Sequence, residues 1–109
     1  MINGLIVRPD GNKFWYQDDL LHRVDEPAII WANGSKFWYQ HGKRHRFDGP
    51  AIEFADGDKY WFLNDKLHRV DGPAIETSTG DKYWWINGQQ VVCKNNEEFF
   101  RLVKMKAFW

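Results

Sequence analysis

The stretch HRVDGPAIE at 68–76 sets His68, Arg69 and Asp71 within four residues of one another. A histidine beside a carboxylate is the pairing that a general base and its orienting partner use, and both residue types also bind metals. The same string recurs as HRFDGPAIE at 45–53 and HRVDEPAII at 22–30. The candidates are therefore a set: His22, His45 and His68; Arg23, Arg46 and Arg69; Asp25, Asp48 and Asp71. An active site occurs once in a chain, whereas this triplet occurs three times with no distinguishing neighbour. Metal binding meets a distance problem. Equivalent positions in successive hairpins lie two strands apart, about 9–10 Å, while zinc needs every nitrogen at ~2.1 Å. Ser35 and Ser78 lie in turns, and no glycine-rich loop opens a helix as a phosphate loop would. No enzyme, no metal and no cofactor are expected.

The elements that position these residues follow from the repeat. Lys13, Lys36, Lys59 and Lys82 recur every 23 residues, and Trp15, Trp38, Trp61 and Trp84 keep the same step. So do Pro27, Pro50 and Pro73, with Ala28, Ala51 and Ala74 following them. Self-similarity at a fixed period means stacked copies of one supersecondary unit. Units run over 10–32, 33–55 and 56–78, with a partial unit over 79–94. Terminal copies deviate, as end repeats do: GLIV at 4–7 falls in register with PAII at 27–30, and Val91–Val92 replace the fourth His–Arg.

Each unit reads as two strands and two turns. KYWFL (59–63) has the aromatic content that favours pleated strands. NDK, HGK and NGQ (64–66, 41–43, 87–89) are hairpin signals. The returning strand spans 67–77, bent at Asp-Gly-Pro because proline cannot donate to a ladder. ANGS (32–35) and ADGD (55–58) close the unit with a second glycine turn. These signals predict a mainly β chain: a single antiparallel meander of repeated hairpins, about eight short strands over 1–94. A C-terminal capping α-helix over 95–109 follows, with Glu97 and Glu98 at its positive start and Lys104 and Lys106 at its far end.

Composition narrows the partners. Fifteen basic and fifteen acidic residues cancel, so nucleic acid is not expected as the main ligand. The basic run KRHR at 43–46 and the basic residues of the tail read as solvated faces. Cys93 is the one cysteine, which fits a reducing cytoplasm, and the N-terminus lacks a secretory pattern. No apolar run approaches the ~18 residues of a membrane span. The chain nevertheless holds 19 aromatic residues, seven of them tryptophan.

The unit K-[FY]-W-[FYW]-x-x-[NGD]-K-x-H-R-x-D-G-P-A-I, closing in [DN]-G, resembles MORN-type repeats over residues 4–90. It is most similar to variant repeats with HRxDGPA and YW in small phage and viral proteins. That resemblance implies a hairpin-repeat fold and a binding or scaffolding habit, and points to a phage-encoded protein acting in the host cytoplasm.

Two surfaces compete for the binding role. On an alternating strand His68 and Val70 would face one way and Arg69 and Asp71 the other; the polar ladder reads as scaffold first and contact surface second. The histidine would hydrogen-bond the backbone of a neighbouring turn. The aromatic rows, Trp15, Trp38, Trp61 and Trp84 with Tyr16, Tyr39, Phe62 and Trp85, place rings on both faces. One short helix cannot cover both, so one ring face is expected to stay open or to pair with another copy. The function expected is a non-enzymatic protein-binding module, an inhibitor of a host or defence factor (of the anti-CRISPR type) by surface occupation. A nucleotide-sequestering protein and a structural or virion spacer are the alternatives; a homodimer is left open.

Overall fold

The computed structural model of the chain describes residues 1–105. Its local geometry begins with turns of two kinds. At the hairpin tips two successive residues take positive φ: Asp18–Asp19, His41–Gly42, Asn64–Asp65 and Asn87–Gly88, all between 48° and 79°. This is the type I′ turn, whose twist matches that of paired strands. At the unit boundaries Gly11, Gly34, Gly57 and Gly80 sit at φ between 90° and 102°. There Gly11 N donates to Arg8 O and Arg8 N to Asn12 O, and the pattern recurs in each later unit. These are three-residue loops ending in a left-handed glycine.

Between turns the strands are short. They are β1 (Gly4–Val7), β2 (Lys13–Gln17), β3 (Leu20–Leu21), β4 (Ile29–Ile30), β5 (Lys36–Phe37), β6 (Tyr39–Gln40) and β7 (Lys43–Arg44). Then come β8 (Ile52–Glu53), β9 (Lys59–Tyr60), β10 (Phe62–Leu63), β11 (Lys66–Leu67), β12 (Ile75–Glu76), β13 (Lys82–Ile86) and β14 (Gln89–Val91). All pairings are antiparallel, and the main sheet runs β1-β2-β4-β5-β8-β9-β12-β13-β14, with β3 on β2. The hairpins β6-β7 and β10-β11 stand beside it. The chain is thus a β-meander of hairpins ending in a helix.

The strand count exceeds the expected eight because the two middle units break at Trp38 and Trp61, and the units break again at the His–Arg–x–Asp loops. Trp38 N donates to Ala51 O in the main ladder, while Trp38 O accepts from His45 N in the hairpin ladder. One residue therefore serves two ladders, and the sheet turns there. Residues 68–74 are loop rather than a kinked strand, so the expected alternation of His68 and Arg69 across a sheet does not occur.

Pairing register lines up one apolar row across the main sheet: Ile6, Phe14, Ile29, Phe37, Ile52, Tyr60, Ile75 and Tyr83. Beside it Phe14, Trp31, Phe37, Phe54 and Tyr60 meet edge to face at 5.5–5.7 Å, the geometry that ring quadrupoles favour. The opposite row carries Lys36, Glu53, Lys59, Glu76 and Lys82, opposite charges facing across strands. One face is therefore apolar and the other wet. Overall extents are 47 × 29 × 17 Å, a slab.

The helix α1 (Asn96–Lys104) begins where Asn95 Oδ1 accepts from Glu98 N at 2.9 Å. It packs on one face of the last hairpin, β13–β14. Phe99, wholly buried, packs with Trp84, Ile86 and Val91, and Trp84 Nε1 donates to Asn96 Oδ1. Lys106, expected in the last turn, lies outside the described residues, as does the rest of 106–109. No helix among the described residues is long and apolar enough to cross a membrane. Phe99→Ala should cost about 3–5 kcal/mol, read as a lowered thermal midpoint with loss of cooperative melting of the last unit.

Candidate functional site: the histidine–arginine–aspartate loops

Each arginine of the triplet folds back onto its own unit. The guanidiniums of Arg23, Arg46 and Arg69 lie over the rings of Trp15, Trp38 and Trp61, 3.8–3.9 Å from the ring centroids. Arg46 Nε donates to Asp48 Oδ1 at 3.1 Å, and its NH1 donates to Pro50 O and Glu53 Oε2 at 3.0 and 2.8 Å. Arg69 repeats the set with Asp71, Pro73 and Glu76. The planar guanidinium is suited to this, because its fork reaches carboxylates and a carbonyl while its face stacks on a ring. The proline carbonyl inside each loop, which no strand partner reaches, is thereby satisfied.

The glycine of Asp-Gly-Pro has a steric reason. A Cβ built on Gly49 would sit 2.8 Å from Arg46 Cζ, and one on Gly72 3.0 Å from Arg69 Cζ. The first unit has Glu26 instead, and its loop differs accordingly. Asp25 moves to φ 66°, and Glu26 rather than Asp25 pairs with Arg23.

The histidines link one unit to the next. His22, His45 and His68 each accept through Nδ1 from the amide of His41, Asn64 and Asn87, at 2.9–3.0 Å. The acceptor must be unprotonated, so each ring is neutral with its proton on Nε2. Burial lowers the pKa of all three, with His41 adding to the effect at His22. A second link was not anticipated. Asn12, Ser35 and Asp58 accept from the amides of Ala32, Ala55 and Ser78, each in the following boundary turn. Their signal was available, since position 12, 35 and 58 always holds a short acceptor side chain.

The expected aromatic rows divide by burial. Trp38, Phe62 and Trp84 lie in the core at 5–7% exposure, which removes them from any open contact row. Trp15, Tyr16, Tyr39, Trp61 and Trp85 are half-buried. The basic run at 43–46 is not an open patch either: Arg44 pairs with Asp65 at 2.8 Å and lies over Phe62, and Arg46 is in its stack. Burial, with Glu98 nearby, raises the Cys93 thiol pKa, the reverse of an activated nucleophile.

What the loops do present is the residue between Arg and Asp. Val24, Phe47 and Val70 are exposed at 61%, 81% and 45%. Concavities open between successive loops. One of about 520 Å³ lies between the second and third, floored by Trp61 and Leu63. A smaller one of about 180 Å³ lies between the first and second, floored by Trp38 and Gln40. Compared with known proteins, the chain matches no family model and no curated protein.

Two measurements probe this arrangement. Gly49→Ala should cost about 1–3 kcal/mol by crowding the pinned guanidinium. In an Arg46→Ala background that cost should vanish, a coupling that a double-mutant cycle on denaturant midpoints detects. The histidines set a pH dependence. Their folded pKa values lie below the unfolded 6.5, so the unfolded chain binds more protons and stability is lost as pH falls below about 6.5. Thermal midpoints should be level above neutrality and decline through mild acid. His45→Asn, whose Oδ1 can replace Nδ1, should flatten that decline.

Proposed function

We propose that this chain is a non-enzymatic protein-binding module whose contact surface is the row of His–Arg–x–Asp loops. The observation that carries this reading is the exposed apolar position of each loop, Phe47 above all, on loops whose polar side chains are spent on the scaffold. Phe47 is 81% exposed and rests only its ring edge against His45, at 4.6 Å between centroids. Beside it lie shallow concavities floored by tryptophan. Aromatic and arginine side chains set among apolar knobs are the composition that protein interfaces favour. The resemblance to phage and viral repeats directs the proposal toward a host or defence factor in the cytoplasm, blocked by occupation of its surface.

The nucleotide alternative is weaker on electrostatic grounds. Two carboxylates already face each guanidinium of Arg46 and Arg69, and a phosphate brought there would meet them.

The test uses a surface change that leaves the scaffold intact. Phe47→Ala with Val70→Ala should melt within a few degrees of the parent chain. Its affinity for a host protein captured by the parent and identified by mass spectrometry should fall at least tenfold, a loss of about 1.4 kcal/mol. Equal affinity of parent and variant would reject the loop row as the contact surface. A thermal upshift with nucleotides, by mass action, would favour the alternative.

A further inference from the structure

β1 is the first edge of the main sheet and pairs with β2 alone among the described residues. Its sequence, Gly-Leu-Ile-Val, holds no charge and no proline, and all four residues are exposed. Proteins usually blunt such an edge with lysine, proline, a bulge or a cover. Here a lysine stands in each of β2, β5, β9 and β13, and none stands on β1. The opposite end of the sheet carries α1.

The direction of the β1 amides can be worked out. Trp15 N donates to Ala28 O, so the odd-numbered residues of β2 bond toward β4, and Phe14 and Tyr16 bond toward β1. On the same register Arg8 N donates to Asn12 O, which makes Arg8 and Ile6 the residues bonding inward. The N–H and C=O groups of Leu5 and Val7 therefore point away from the sheet, without a partner among the described residues.

We infer that β1 pairs antiparallel with β1 of a second copy of this chain, across a two-fold axis at Ile6. This register sets Leu5 opposite Val7 of the second copy and Val7 opposite its Leu5. All the outward groups of both residues are then used. Ile6 faces its own counterpart as a non-hydrogen-bonded pair, whose Cα atoms lie ~4.5 Å apart. Each paired position keeps its face of the sheet. The apolar row that begins Ile6–Phe14–Ile29 thus runs unbroken from one copy into the other. An uncharged strand suits this role because identical strands on a two-fold axis set like against like. Because β1 pairs with itself across a two-fold axis, this contact closes at two copies instead of growing into a filament.

The experiment is sedimentation of the intact chain together with charge and cysteine variants. The parent should sediment as a dimer at micromolar concentration. Ile6→Lys and Ile6→Glu should each be monomeric, with far-ultraviolet dichroism like the parent's, and mixing the two should restore dimers. In a Cys93→Ser background under glutathione disulfide, Ile6→Cys should crosslink to a dimer, because the ~4.5 Å separation lies within disulfide reach. Leu5→Cys, set against Val7, should not. A parent that stays monomeric at its solubility limit would overturn the inference. So would a dimer that survives both charge variants, or crosslinking at Leu5 in place of Ile6.

Discussion

In each complete unit a guanidinium lies flat on a tryptophan and reaches through its edge to a proline carbonyl and one or two carboxylates. The rest of the unit depends on that contact. A chain that crosses from the hairpin ladder to the main ladder must pass through several residues with no strand partner, and their backbone polar groups must still be satisfied. The arginine does this from one side chain and covers the tryptophan whose own amide and carbonyl serve the two ladders. The glycine fits it, because a Cβ at Gly49 or Gly72 would crowd the guanidinium, at 2.8 and 3.0 Å from its Cζ.

Lateral order comes from a second set of bonds. Histidine to hairpin tip ties each unit to its successor, and Asn12, Ser35 or Asp58 ties the boundary turn that opens a unit to the one that closes it. Two-residue strands supply few ladder bonds by themselves, so stability rests on these neighbour links, as in other stacked-repeat chains. The residues that look most like chemistry are therefore directed inward. The apolar groups left outward include the loop tips at Val24, Phe47 and Val70 and the edge at β1.

Much of this was legible in the residues. Period 23, the I′ turn signals at Asn64–Asp65 and Asn87–Gly88, and the helix start at Asn95 all led to the elements found. The histidine acting on a neighbouring turn was also foreseeable, since a conserved spacing in one chain leaves few other targets. The break at tryptophan was not. Trp15, Trp38, Trp61 and Trp84 stand inside runs of strand-forming residues, and nothing local marks the residue where the chain changes ladders. Assigning Arg69 and Asp71 to alternate faces failed for the same reason, because face alternation holds only where a strand continues. Within the single tryptophan row, Trp38 and Trp84 are core while Trp15 and Trp61 are only half-buried, a difference that the repeat pattern does not mark.

By itself the sequence determined the unit, its turns and the end that carries the helix. Local rules suffice for these, since turn chemistry, strand composition and capping act over a few residues. Tertiary structure alone decided where the arginine goes and what the histidine holds. It also decided which rings are covered and which amides of β1 face outward. The arginine's partners lie within eight residues but meet only when the loop folds back on its strand. The histidine bonds reach 19 residues along the chain, and the β1 amides follow the hydrogen-bond parity of a neighbouring strand.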